Sequence, residues 1–365
     1  MNRNSLLIIS LLPLGFTACN TADPEPSQPY DNGVLVINAG NFLDNNGSIS
    51  LIQRTGTAAS YDIFQKENSR TLSGSLSDYA EVNGKGIILV DNSTAGKDVI
   101  EIVDARTFKS LATLPSTEIE NPRAVAKATD TKAYVTCWDA TGDFSNFYKN
   151  PGYVAVIDLV TNKLVKKMTV QNGAESIFIL GNEAFVGNTG SGISKITVID
   201  VATDAVKQSV EVGRNPEMVG MDANNKLWAY AGGEMIRLNP QTKTVETRFK
   251  ITSPIAAKSP SSFTLSADKK TIYFTHSFYD AADGYLQKGE TYRFSIDAST
   301  VAADKPFINR LFSGGLGVDP QTGILYAGLI PSFKQAGYVL RYQANGTLID
   351  SVKAEIAPST FFFKQ

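Results

Sequence analysis

The sequence predicts an all-β chain, a seven-bladed β-propeller whose C-terminal strand closes blade one. Three observations predict it. A strand-ending turn of Asp-x-x-Thr type recurs seven times at intervals of 39 to 58 residues. Four short apolar strands separated by polar turns fill each repeat. No stretch sustains the 3.6-residue apolar period of an amphipathic helix.

The turns are Asp104 with Thr107, Asp158 with Thr161, Asp200 with Thr203, Asn239 with Thr242 and Asp297 with Thr300, with weaker forms at Gln53 with Gly56 and Gln343 with Gly346. An Asp or Asn side chain accepts bonds from backbone amides two residues on, and Thr or Gly completes a tight hairpin. A second element is an apolar strand after a polar turn, as at Ala133-Tyr134-Val135, Leu227-Trp228-Ala229, Ile272-Tyr273-Phe274 and Leu325-Tyr326. A third introduces the inner strand: Asn121-Pro122-Arg123, Gly173-Ala174-Glu175, Asn215-Pro216-Glu217, Ser259-Pro260-Ser261 and Ala357-Pro358-Ser359. Four-stranded units of this period bury their faces only by stacking on neighbours around an axis, whereas a sandwich needs no such strict repetition. The first apolar strand, Val34-Leu35-Val36-Ile37, reads as a second strand without an inner one. The closing Pro358-Ser359-Thr360-Phe361-Phe362-Phe363 supplies it.

Ahead of the propeller (residues 33–365), residues 1–18 read as an export signal: Arg3, a short apolar run over 6–16, then Thr17-Ala18 before Cys19. The run is too short to span a bilayer, which takes about 20 residues. Cys19 is the expected lipidation site, and the Pro-rich segment 19–32 is a semi-extended tether. The only other cysteine, Cys137, reads as a buried small hydrophobe. The chain is expected at the outer membrane, held by lipid alone and displayed at the cell surface, with a periplasm-facing arrangement as the alternative.

With 34 Lys+Arg against 36 Asp+Glu, no basic excess exists to neutralise phosphates, so nucleic acid is not an expected partner. A single histidine, His276, argues against histidine-based metal clusters and Ser-His-Asp chemistry. No metal, cofactor or catalytic residue is expected, and the chain reads as a binding protein rather than an enzyme. Gly190-Ser191-Gly192 is a hairpin turn with no helix after it. Asp44-Asn45-Asn46-Gly47-Ser48 offers a single carboxylate and reads as a turn, not a calcium loop.

Loops between second and third strands share a face with the blade-to-blade connections, and here they are unequal. Loop 138–153 carries Trp138, Phe144, Phe147, Tyr148 and Tyr153; segment 276–290 carries Phe278, Tyr279 and Tyr285; blade seven adds Phe333 and Tyr338. Aromatic rings on exposed loops suit a recognition surface, the alternative being that they fold back into satellite clusters. Near the axis the inner-strand starts place Arg123, Glu175, Arg214 and Glu217, with Ser261 and Thr360, around one mouth.

The run Asn-Pro-x-x-Val, Tyr-Val, Val-Ile-Asp-x-x-Thr, Lys-Val and Val-x-Val-Gly, clearest over 121–213, resembles YncE-like and surface-layer-type propellers. The opening Val34 to Ile52 and the ending from Gly315-Leu316-Gly317-Val318-Asp319-Pro320 through Phe363-Lys364 are similar to a family of Bacteroidetes lipoproteins. That resemblance implies a surface protein that captures a bulky small-molecule nutrient, such as a corrinoid, for a TonB-dependent outer-membrane receptor. Two other readings compete: an envelope scaffold whose aromatic loops dock a partner protein, and a propeller hydrolase or quinoprotein.

Overall fold

The computed structural model describes residues 26–139 and 146–364. Seven antiparallel sheets form seven blades, and helix is confined to Ile63–Asn68 and one 3-10 turn at Ala281–Asp283 among the described residues. The ring closes as expected. The inner strand of blade 1, Pro358–Phe363, pairs with Val34–Asn38, with Val34 opposite Phe363 and Val36 opposite Phe361; Ser48–Ile52 and Ala59–Ser60 lie outside them.

Blade 2 runs Ser75–Val82, Lys85–Asp91, Val99–Asp104 and Ser110–Leu114. Blade 3 runs Pro122–Thr129, Lys132–Cys137, Tyr153–Asp158 and Lys163–Thr169. Blades 4, 5 and 7 repeat the order from Ala174–Leu180, Glu217–Met221 and Leu316–Val318. Second and third strands are buried on both faces, as in Lys85–Asp91, and read as unbroken apolar runs; outer strands such as Ala205–Glu211 are almost wholly exposed. The core is accordingly divided into seven apolar clusters, one per junction between blades. Ile87, Ile102, Val125, Val135 and Ile157, for example, fill the junction of blades 2 and 3.

The repeated turn performs the chemistry its sequence suggests. Asp158 Oδ1 accepts from the amides of Val160 and Thr161 and from the Thr161 hydroxyl, and Asp104 and Asp200 hold their Thr residues in the same way. A register shift stands just before the turn in blades 2, 3, 4, 5 and 7. Across each junction a cation joins these turns. Lys364 donates to the Ala105 carbonyl, Lys85 to Leu159, Lys132 to Val201 and Arg293 to Ala344; Arg237 reaches Ile296. The buried Arg341 donates to the carbonyls of Gln53, Arg54 and Gly56 at 2.8, 2.8 and 2.6 Å. At the blade 4–5 junction Lys243 caps its own turn at Pro240 and bridges to Glu183.

Blade 6 departs from expectation three times. It has three strands, Ser259–Leu265, Thr271–Asp280 and Leu286–Ser295. Val301–Ala302 pairs in parallel with Ile251–Thr252 instead of forming a fourth. Its third strand ends at Ser295, whose hydroxyl accepts from the Asp297 amide, so Ser295 and not Asp297 occupies the turn position. Segment 276–290, expected as a loop, is an extension of the hairpin: His276 pairs with Glu290, Phe278 with Lys288 and Asp280 with Leu286. The β-branched and aromatic run Thr271-Ile272-Tyr273-Phe274-Thr275 that leads into it favours a pleated ladder over a loop.

Four of the five inner-strand lead-ins begin left-handed, Asn121 with φ 46°, Gly173 70°, Asn215 50° and Ala357 56°; Ser259 of blade 6 does not. Asn and Gly tolerate that region better than most residues, so the recurring Asn-Pro and Gly-Ala pairs encode the corner from one blade into the next. Bulges follow in blades 2 to 6, between Leu76 and Tyr79, Pro122 and Ala124, Ala174 and Ile177, Met218 and Gly220, and Ser261 and Thr264. A bulge leaves an unpaired residue and re-aims side chains. Asp78 and Glu175 stand inside two of these bulges and Glu217 directly before a third, and all three line the channel.

Candidate ligand-binding site

A cleft of about 290 Å³ opens on the loop face between blades 2 and 3. Three second-to-third-strand loops and one blade connection build it. Blade 1 contributes Phe42; blade 2 contributes Asp91, Asn92, Ala95 and Asp98; the connection contributes Glu120 and Asn121; blade 3 contributes Arg123, Trp138, Phe147 and Tyr148. Trp138 packs edge-on to Tyr148 at 5.1 Å between ring centroids and tilts against Phe147 at 5.8 Å. Tyr148 rests on blade 4, where a Cβ at Gly190 would lie 1.9 Å from its ring. Gly190 is therefore required both by its φ of 62° and by the close approach of Tyr148.

Arg123 forms the wall shared with the central channel. Its guanidinium carbon lies 4.0 Å from the Trp138 ring centroid, and its nitrogens reach Asp91 at 3.0 Å and both Glu175 oxygens at 3.3 Å. Trp138 Nε1 donates to Glu175 at 2.7 Å, so cation, indole and two carboxylates form one unit. At the base, Asp98 is buried and accepts from the amides of Asn92 and Asn121 at 2.7 and 2.9 Å. Burial pushes the Asp91 carboxyl up to about 6; the adjacent Arg123 opposes this and neighbouring Asp98 adds to it. Asp98 is raised as well, by burial first and by Glu120 among its neighbours. Glu120 is raised by burial and then by Asp139 and Asp91. Like charges sharing a desolvated site behave in this way.

Beyond Arg123 the channel mouth encloses about 690 Å³ lined by Asp78, Glu175, Ser176, Asn188, Thr189, Glu217 and Thr360 among others. Asp78 accepts from the amides of Tyr79 and Val125, yet enclosure raises its carboxyl to about 6. Glu217 is raised to about 7, by burial and then by Glu175. Its side chain is exposed to the channel although protein surrounds it on most sides, so solvent screens part of the effect.

The structure thus brings together Trp138, Phe147, Tyr148, Arg123 and Glu175, and places Glu217 and Thr360 along the channel. It does not bring in the rest. Tyr153 is a core residue whose hydroxyl accepts the Glu120 amide proton and whose ring lies beneath Lys167. Arg214 is exposed beside Gly192, outside the cleft, and Ser261 is engaged with Thr275. Tyr279 and Tyr285, 66% and 71% exposed, stand on the blade 6 hairpin with Phe278; Phe333 and Tyr338 are exposed on blade 7. None of these lines the cleft, because the blade 6 segment zips into a hairpin instead of folding over the face. Phe144 and Cys19 lie outside the described residues. Cys137 is buried, its thiol pushed up to about 12 by desolvation, and the single histidine, His276, is buried against Phe274 and Tyr292. Sequence reasoning missed Phe42, Asp91 and Asp98. The available signal was Asp91 ending a second strand with Asp98 seven residues on, across the loop facing the long one of blade 3.

A family profile described as "Domain of unknown function (DUF5074)" matches residues 32–364. The chain is a member of the DUF5074 family. No curated protein matches the DUF5074 chain in sequence. Among solved structures it is similar to a quinoprotein alcohol dehydrogenase-like protein from Bacteroides thetaiotaomicron, with 18% identity, a TM-score of 0.64, and 92% of this chain and 79% of that one covered. It is also similar to the hydrazine synthase of Kuenenia stuttgartiensis (18% identity, TM-score 0.55, 78% and 88% covered). A third is a functionally unknown protein from Desulfotomaculum acetoxidans (13%, 0.57, 91% and 98%). At these identities the likeness is one of fold.

Proposed function

We propose that this DUF5074 protein is a lipid-anchored binding protein of the outer membrane that captures a small organic molecule in the cleft between blades 2 and 3 and passes it to a TonB-dependent receptor. The convergence of Trp138, Phe147, Tyr148 and Phe42 over a polar base carries this reading, since small-molecule sites combine apolar walls with a few placed polar groups. The position of the N-terminal segment supports the anchor. Arg106, in the third-to-fourth-strand turn of blade 2, pairs with Asp31 at 2.9 Å and donates to the Pro26 carbonyl at 3.0 Å. That turn is on the face opposite the cleft, so a tether ending at an acylated Cys19 leaves the cleft facing away from the bilayer. The enclosed volume stands near the low end of ligand pockets, about 300–1,000 Å³, so it suits a compact ligand; a corrinoid would have to rest across the face.

The chain has two tryptophans, and Trp228 is fully buried in blade 5, so ligand-dependent changes in emission report on Trp138. Screening a metabolite library by intrinsic fluorescence is expected to give saturable quenching, and Trp138→Phe to weaken binding of the same compounds when it is followed by calorimetry. No change with any compound at millimolar concentration overturns the capture reading. A second reading, a docking scaffold, draws on the exposed Tyr279, Tyr285 and Leu286 of the blade 6 hairpin. It requires that shortening the hairpin at 281–285 abolish co-purification of a partner while the Trp138 titration stays intact.

A further inference from the structure

We infer that the ligand taken by the cleft is an organic cation, an amine or quaternary ammonium of compact size, seated between the aromatic walls and the carboxyl base; this rests on the capture reading above. The argument begins with the walls. Four aromatic side chains, Phe42, Trp138, Phe147 and Tyr148, line one 290 Å³ space, and ring faces attract cations through their quadrupole. The groups that give the space its sign are Asp91, Asp98 and Glu120, three carboxyls against the single guanidinium of Arg123.

That guanidinium is already committed. It stacks on Trp138 and is paired on one side with Asp91 and on the other with Glu175, so it has little field left for an anionic ligand. Asp91 and Asp98 are held by Arg123, Asn121 and backbone amides, whereas no described residue donates a hydrogen bond to the Glu120 carboxylate. Its nearest influences are Asp139 and Asp91, both negative, and Lys167, which is itself placed over the Tyr153 ring. An ammonium between Glu120 and the rings relieves this like-charge crowding, while an anion there adds to it. A neutral ligand gains the walls but leaves the crowding in place.

The test uses the full chain and three single-ring compounds that differ in charge, benzyltrimethylammonium, benzyl alcohol and benzoate, each titrated against Trp138 emission. The cation is expected to quench saturably and to bind about tenfold or more tightly than either of the others, the range open to a desolvated cation–π site. Glu120→Gln, an isosteric change at a half-exposed carboxylate, is expected to weaken the cation several-fold and leave benzyl alcohol unchanged, with melting temperature checked to exclude misfolding. Benzyl alcohol or benzoate binding as tightly as the cation overturns the inference and leaves the capture reading standing. If none of the three perturbs Trp138 the cation assignment also falls, and the library screen then decides the capture reading separately.

Discussion

On the turn face of the ring, cations meet neutral backbone carbonyls. Lys364, Lys85, Lys132, Arg237, Arg293 and Arg341 each reach the turn of the next blade, and Lys243 closes the remaining junction from within its own turn. On the loop face, around blades 2 to 5, carboxyls meet other carboxyls: Asp91 with Asp98 and Glu120, and Asp78 and Glu217 with Glu175. The same four-stranded unit produces both ends. One end satisfies its polar groups across every junction and tightens the ring; the other keeps charged groups in an environment that resists their ionisation. Perturbed carboxyls gathered beside a cleft are the arrangement in which functional sites are sought. The difference shows where this fold is held together and where it keeps carboxyls crowded beside a cleft.

The largest way to break the turn face is to remove the strand that supplies both closure and a clasp. Deleting 361–365 takes away Phe361, Phe362 and Phe363, which pair with Val36, Leu35 and Val34, and Lys364 with its bond to Ala105. Loss of the cooperative thermal transition is expected; an unchanged melting curve by circular dichroism would refute closure through this strand. Next in size is Arg341→Met. Arg341 is almost fully buried, and its removal uncaps three carbonyls of blade 1 and leaves Asp350 without its partner. Breaking one side of such a pair costs about 3–5 kcal/mol, to be read from chemical denaturation. A loss below about 1 kcal/mol would mean that water replaces the clasp.

Which of these features the sequence discloses follows from how local they are. The Asp-x-x-Thr turns are legible because one side chain and the three residues after it make all the bonds, as at Asp158. The closing strand is legible because Val34–Asn38 has a second strand's composition without an inner strand before it. The clasps are not legible, since Lys132 and Asp204 are 72 residues apart and meet only when blades stack. The cleft is half legible. Trp138, Phe147, Tyr148, Arg123 and Glu175 stand out by type and place. Phe42 and Asp98 come from loops of ordinary composition on two other blades, and only the ring's curvature gathers them. Blade 6 misleads because Phe278, Tyr279 and Tyr285 have the composition of a recognition loop, while the hairpin is set by the pairing of residues 276–280 with 286–290.

A smaller change sharpens the loop face alone. Gly190→Ala adds a Cβ where the Tyr148 ring lies and places Ala at φ 62°. A stability loss of about 1–2 kcal/mol is expected, together with loss of the Trp138 fluorescence response, because Tyr148 must leave its edge-on contact with the indole. Retained ligand response with displaced stability would show that Tyr148 is packing and not part of the binding wall.

The smallest expected effect separates the two faces by pH. Asp78 and Asp91 stand near 6 in the folded chain and Glu217 near 7, all above the values of about 4 that carboxyls have in an unfolded chain. Between about pH 4 and 7 the native state therefore holds more protons than the unfolded one, and stability falls as pH rises. The contribution is complete below the unfolded values and is lost as pH climbs through 6 to 7. Carboxyls lowered in the fold, such as Asp158 and Asp200 in their turns and Glu183 beside Lys243 and Lys207, act oppositely and withdraw stability only below about pH 4. The melting temperature is thus expected to peak near pH 5 and to drop by a few degrees at pH 8. Glu217→Gln, which faces Glu175 and Tyr230, should flatten the slope above pH 6 and leave the part set by Asp78, under the amides of Tyr79 and Val125, and by Asp91, between Arg123, Asn121 and Asp98. The carbonyls that Arg341 reaches carry no proton to exchange, so Arg341→Met should lower the curve above pH 6 without changing the slope that Asp78, Asp91 and Glu217 set there. A melting temperature that rises from pH 5 to 8 would place the crowded carboxyls in contact with bulk water, and the contrast between the faces would then be one of packing alone.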